Sequence, residues 1–169
     1  GLFLRLWQTS IELYDELHGI DWEFLSMDGC HAMTPLGGKD TGPSYKHRGK
    51  SGVNRSLLTD AKGIPISFVI TKANIPDMKL TQATLDSLIL DRPDPHLVSQ
   101  HICLDKGYDY PEIDQLLEER NFISHIRRKG IDYSDTSLYV LGHKARRWVV
   151  ERSHSWFNRF RRIIVPWDR

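Results

Sequence analysis

Cysteine is scarce in this sequence: Cys30 and Cys103 are the only two thiols in 169 residues. Two cysteines cannot build the disulfide framework of a small secreted domain, and their spacing resembles no zinc knuckle, so both are expected to be buried free thiols. Long hydrophobic runs are also missing. Arg5 interrupts the opening Gly-Leu-Phe-Leu and charges punctuate every later apolar stretch, so nothing reaches the roughly 18 residues of a membrane span. No apolar segment precedes a small-residue cleavage site, which leaves the cytoplasm as the expected compartment. Net charge is nearly absent as well, +1 from 23 Lys+Arg and 22 Asp+Glu. Neither a repeat nor a low-complexity stretch interrupts the chain.

What is present is one domain's worth of chain, 40% hydrophobic, long enough to bury a core. Its charge is unevenly spread. Leu141 to Arg169 holds eight Lys/Arg against two acids, a net of +6, and the remaining residues carry −5. Such polarity points to an anionic partner at one end of the molecule.

Apolar residues Phe3, Trp7, Tyr14 and Leu17 recur at helical intervals, so residues 2–18 read as an amphipathic helix ending before Gly19. Residues 1–20 are expected to connect to an upstream region, with one domain over 21–169. Trp22 to Met27 reads as a first strand that opens into a loop at Asp28-Gly29. Ala32 to Gly52 holds five of the 12 glycines, two prolines and four basic residues, and reads as loop. Val53–Thr59 and Ile64–Thr71 are β-branched runs joined by Asp60-Ala61-Lys62-Gly63, a hairpin. A helix is expected over Asp77–Leu90 with Asp77 capping it, a strand over His101–Leu104 ending at Asp105, and a helix over Pro111–Arg120. A last strand over Phe122–Ile126 and a long helix over Ala145–Ile164 complete the series.

The element order is therefore an N-terminal helix followed by βββαβαβα. Three consecutive strands and then alternating helices and strands imply an α/β fold: a mixed sheet with an antiparallel meander, parallel additions and helices on both faces. This is the ribonuclease H-like layout, in which the first and fourth strands lie side by side. Asp28 and Asp105 would then meet in mid-sheet, with the last helix supplying a third acid.

Four stretches carry a family resemblance: "SMDGCH", "HRGKSGVNRSLLTDAKGIPISFVITKAN", "LDKGYDYPEIDQLLEERN" and, from Arg147 to Arg162, "RWVVERSHSWFNRFRR". Together they resemble the catalytic domain of DDE transposases from bacterial insertion sequences, over roughly residues 21–165. The chain departs from that pattern in two places. Related transposases often place Tyr three residues before the Arg and Lys seven after the Glu, where this chain has Lys144 and Asn158.

The resemblance implies catalytic and metal-binding roles for Asp28, Asp105 and Glu151, with two Mg²⁺ or Mn²⁺ ions. The chemistry agrees: Mg²⁺ takes hard oxygen ligands and keeps several waters, so a few carboxylates plus phosphate oxygens suffice. Two ions about 3.5 to 4 Å apart stabilise both the entering and the leaving oxygen of a phosphoryl displacement. Asp28 is assigned to bridge them, with Asp105 on one ion and Glu151 on the other. Without metal, carboxylates about 4 Å apart repel by about 4 kcal/mol at an effective dielectric of 20. Each acid alone has a structural reading: Asp28 in a turn, Asp105 opening the Gly107 loop, Glu151 paired with Arg147.

Two basic clusters are assigned to DNA phosphates. One is Lys46, Arg48, Lys50 and Arg55; the other is Lys144, Arg147, Arg152, Arg159, Arg161 and Arg162. On the last helix Val149, Val150, Trp156, Phe157, Phe160, Ile163 and Ile164 form an apolar arc read as core, which leaves Glu151 on the far side unless the helix bends near Ser153-His154-Ser155 or packs at the rim. Tyr45 and Tyr108 read as packing residues, and His31, His47, His143 and His154 as non-ligands. The expected activity is nicking at transposon ends and joining of the 3′-OH to target DNA, by a nucleoid-associated protein acting as a homo-oligomer on DNA. The alternatives are a nuclease without strand transfer and an inactive DNA-binding remnant.

Overall fold

The computed structural model describes residues 1–130 and 148–160. Helix α1 spans Leu2–His18 as the sequence periodicity requires, and stops at Gly19, whose φ of 70° no larger residue adopts freely. Ile11 is buried and Trp7 and Tyr14 pack against the core. The carbonyls left open at its C-terminus are met by Lys62, whose Nζ donates to His18 and Gly19 at 3.2 and 3.0 Å. Among the described residues no helix is long and apolar enough to cross a membrane.

Six strands form one sheet: β1 (Phe24–Met33), β2 (Gly42–Pro43), β3 (Ser51–Thr59), β4 (Pro65–Lys72), β5 (His101–Leu104) and β6 (Ile123–Ile126). Strand β3 lies antiparallel between β1 and β4, and the short β2 pairs with its first residues. On the other side of β1, β5 and then β6 add in parallel. The meander and the parallel additions thus meet at β1, which is the ribonuclease H-like arrangement expected from the element order.

Helices cover both faces. Helix α2 (Thr81–Asp86) follows a 3₁₀ turn, Asp77–Leu80, and its Thr84 bonds Ser56 of β3 and Ser67 of β4. Helix α3 (Pro111–Glu119) packs beside β6. On the opposite face α4 (Trp148–Phe157) lies over β1 and β3, with Asn158 bonded to Arg55 and Phe157 against Phe68. Leu25, Met27, Leu58, Ile66, Ile102 and Leu117 are fully buried between these layers, each stabilising the fold by about 1.5–3 kcal/mol relative to exposure.

Several expectations need correction. Strand β1 does not end at Asp28-Gly29 but runs on to Met33, because residues 26–33 pair in register with 52–59 of β3. The stretch Ala32–Gly52 holds a strand and a 3₁₀ turn, Tyr45–His47. The helix expected over Asp77–Leu90 is shorter, and Asp77 caps nothing: no side-chain cap bond exists at that turn. On α4 the buried stripe is Val149, Val150, Ser153 and His154, while Trp156 and Phe160 are 62% and 59% exposed. The apolar arc therefore misidentified two core residues, and the helix runs unbroken through Ser153-His154-Ser155. Residues 145–147 and 161–164 of the expected helix lie outside the described residues.

Candidate active site

Asp28 sits inside β1, opposite Leu57 of β3. In the parallel ladder Ser26 pairs with Cys103; two residues further along each strand stand Asp28 and Asp105. Side chains alternate across a strand, so both carboxylates leave the sheet on the same face. That face is the one α4 covers, since Cys30, two residues beyond Asp28, opposes the Arg55 that meets Asn158.

Local bonds hold each acid. Asp105 ends β5 and accepts from the Gly107 N–H at 2.6 Å, capping the 3₁₀ turn Lys106–Tyr108. Asp28 accepts from the Gly29 N–H at 2.8 Å. His154 of α4 stands 3.3 Å from the Asp28 carbonyl, its imidazole pushed down to about 4 by burial and by Arg55 against the pull of that carbonyl bond; it is neutral near pH 7 and its N–H donates there.

Glu151, in the first turn of α4, is exposed, but the helix places it at the rim of a cavity of about 460 Å³ shared with Asp105, Lys106, His125, Arg127 and Trp148. Asp28 does not line that cavity, and among the described residues no group of three His, Cys, Asp or Glu side chains is close enough to hold a metal ion as it stands.

The donor chemistry nonetheless suits a hard divalent cation. The Tyr108 hydroxyl is 1% exposed and finds no hydrogen-bond partner among the described residues. Burial raises its phenol well above the ordinary value, and the negative fields of Asp77, Asp28 and Asp105 raise it further. The carboxylates of Asp77, Asp28 and Asp105 thus all stand near this buried ring.

The basic residues divide. Lys46, Arg48 and Lys50 lie in or beside the turn after β2, and Arg152 and Arg159 are exposed on and just after α4. Arg152 donates to the Lys62 carbonyl and lies over the Trp148 ring. Arg55 departs from its assigned cluster: it is 3% exposed, bonded to Cys30 Sγ and Asn158 Oδ1. Strand alternation turns it under α4, so it cannot meet a duplex on the surface. Lys144, Arg147, Arg161, Arg162 and His143 lie outside the described residues. Tyr108 is core as expected, but Tyr45 is 62% exposed, edge-on to a buried His31. Cys103 is buried and Cys30 half-buried, and both are free thiols.

Three side chains near the site escaped the sequence reading. His125 and Arg127 border the Glu151 cavity; the signal for them was position, since residues at and just past the C-terminal ends of parallel strands face the site of an open α/β sheet. The third, Asp77, was misread as a helix cap. Its carboxylate occupies the space a Cβ on Gly29 would need.

Comparison with known proteins bears on this geometry. A protein from Burkholderia cepacia, named for the transposase of insertion sequence element IS402, is 28% identical over 138 residues, which are 76% of this chain and 60% of that protein. Among solved structures, the Mos1 transposase paired-end complex with left transposon end covers 95% of this chain and 60% of its own at 12% identity, with a TM-score of 0.42. The catalytic domain of Mos1 mariner transposase covers 96% and 90% at 10% identity, also at 0.42. The family model for the transposase DDE domain matches residues 20–168, so the chain belongs to the transposase DDE domain family.

Proposed function

We propose that this domain is the catalytic part of a DNA transposase, in which Asp28, Asp105 and Glu151 hold two Mg²⁺ or Mn²⁺ ions for cleavage at transposon ends and joining of the 3′-OH to target DNA. The observation that carries the reading is the shared face: two carboxylates at equivalent positions of adjacent parallel strands, beneath the helix that brings Glu151 to the same cavity as Asp105. When bound, such ions stabilise charge on the entering and leaving oxygens of phosphoryl transfer. The chain's own task is to position: Asp28 from a strand buried on both sides, Asp105 from a capped turn, Glu151 from a helix seated on the β3–β4 hairpin. Exposed Lys46, Arg48, Lys50, Arg152 and Arg159 meet backbone phosphates, which fixes a duplex without reading it. The same proposal covers Lys144, Arg147, Arg161 and Arg162.

The test is cleavage of a labelled duplex carrying the element's end in Mn²⁺. Asp28→Asn, Asp105→Asn and Glu151→Gln are each expected to abolish cutting and leave DNA binding intact. Residual cutting within about tenfold of wild type, about 1.4 kcal/mol of activation energy, removes that residue from the site. Pre-cleaved ends give joined products if strand transfer is intact; hydrolysis without joining makes the protein a nuclease, and binding without either makes it a remnant.

A further inference from the structure

On the α2 face of the sheet, opposite the carboxylate of Asp28, a compact basic turn is fastened to β1. The turn is closed by its own backbone: Ser44 accepts from the His47 and Gly49 N–H groups and donates to the Lys50 carbonyl. Two side chains tie it down. His31, three residues beyond Asp28 on the same strand, bonds Ser44 Oγ through Nδ1 at 2.8 Å and takes the Tyr45 ring edge-on. Asp77 ion-pairs with Lys46 at 3.6 Å and accepts from Asn54 Nδ2 at 2.5 Å, with Asn54 wholly buried. Gly29 is the reason Asp77 reaches so far in: any Cβ there would occupy the place of its carboxylate.

An ammonium on a four-carbon stem is ordinarily mobile. Here it is held, its side chain 41% exposed and its partner 20%, so it remains open to an anion while its base is fixed. Resting on the transposase reading above, we propose that Asp77 is a positioning residue: by holding Lys46 and the turn Ser44–Lys50 against β1, it sets the distance between the DNA phosphate gripped by that turn and the bond cut at Asp28. The clamp at His31 lies three residues from Asp28, roughly 10 Å along the strand at 3.3 Å per residue, on the other face of the sheet. Asp77 itself meets β1 from the face opposite Asp28, which makes it a brace for Lys46 and not a metal ligand.

The experiment uses the whole chain and an end-labelled duplex carrying the element's end, with two readouts. Phosphate-ethylation interference needs only binding; the position of the cut in Mn²⁺ needs chemistry. Wild type is expected to show a sharp interference at a fixed distance from a single cut. Asp77→Asn keeps the charge of Lys46, so its affinity should stay within about threefold of wild type while interference and cuts spread over neighbouring positions. Lys46→Gln should lose the contact and spread the cuts too, and the double variant should be no worse than either. A cut as sharp in Asp77→Asn as in wild type overturns the inference. So does complete loss of cutting together with loss of Mn²⁺-induced thermal stabilisation, which would make Asp77 a ligand. Should Asp77→Asn not fold, Lys46→Gln, which removes no buried group, decides in the same way. If wild type does not cut at all, the transposase reading fails, and the interference patterns of wild type and Asp77→Asn still decide this one: identical patterns overturn it, and a pattern that blurs in the variant supports it.

Discussion

Asp60 shows how a residue remote from the chemistry holds Glu151 in place. It is wholly buried in the β3–β4 turn, where Oδ1 accepts from the Lys62 and Ile64 N–H groups at 2.9 and 2.8 Å and Oδ2 from the Asp21 N–H at 3.3 Å. That turn is the seat of α4: Ser153 Oγ donates to the Gly63 carbonyl at 2.7 Å and Arg152 to that of Lys62. Asp60→Ala orphans three donors, of which water reaches the one on exposed Lys62. At about 1–3 kcal/mol for each buried unsatisfied group, the remaining two cost about 2–6 kcal/mol. Asp60→Asn keeps both short bonds and turns its amide toward the Asp21 N–H, a loss of about 1–2 kcal/mol. Urea unfolding followed by tryptophan fluorescence measures both. Equal penalties for the two variants, or less than about 1 kcal/mol for Asp60→Ala, would refute the reasoning.

The same residue gives a pH dependence opposite to that of most carboxylates. Burial raises its pKa above the ordinary 3.8, against the pull of the backbone N–H groups. Between that value and the raised one the folded state binds more protons than the unfolded, so stability falls as pH rises through this window. Asp60→Asn carries no titrating group there, and its penalty relative to wild type should shrink as pH rises through that window.

Three shorter expectations come from the same contacts. Arg55→Met should leave the salt dependence of DNA binding unchanged, where loss of a true phosphate contact would flatten the slope of log K against log salt by about 0.9; its stability should fall by less than about 1 kcal/mol, since Nε and Nη1 find no partner among the described residues. Gly63→Ala places a Cβ at φ of 91° within 3.2 Å of Val149 Cγ1 and Ser153 Oγ, so urea melts should show a cost of about 1–2 kcal/mol and single-turnover cleavage should drop as α4 shifts. Mn²⁺ should raise the melting temperature of wild type by linkage to the folded state, and an equal rise in the variant lacking all three acids would remove the metal from this site.

Elements with a strong local period were legible in the sequence. The α1 repeat of Phe3, Trp7, Tyr14 and Leu17, the Pro111 start of α3 and the β-branched hairpin around Asp60 specify their own conformations, and the structure places each element within a residue or two, although Phe3 and Leu17 are exposed and Ile11 is the buried residue of the helix. The errors arise where tertiary contacts overrule a local signal. Asp-Gly reads as a turn in isolation, yet Asp28-Gly29 is mid-strand because glycine is the only residue that admits the Asp77 carboxylate from the next layer. Trp156 and Phe160 read as core by hydrophobicity, while the residues α4 buries include Ser153 and His154, whose polar groups bond the Gly63 and Asp28 carbonyls. A hydrophobic arc cannot register a helix face that binds through hydrogen bonds.

The site follows the same division. Asp28, Asp105 and Glu151 were nominated in the sequence by the family resemblance, and their shared role is the proposal made above; Asp28, expected where a strand opens into a loop, stands inside β1. That Asp28 and Asp105 share a face follows from topology, since adjacent parallel strands in register present equivalent residues on one face; the cavity that Asp105 shares with Glu151 does not include Asp28. What supports them was not legible, because it is built from residues far apart in sequence. Lys46 meets Asp77, Asp77 meets Asn54, and His154 meets the Asp28 carbonyl 126 positions away. Of the basic residues, Arg55 carries the clearest lesson. Its neighbours in the hairpin alternate between the two helical layers, so a cationic side chain on a central strand is directed by parity into the interior whatever its charge, and the basic residues that stay exposed are those in turns, such as Lys46, Arg48 and Lys50, or on the outer side of α4, such as Arg152.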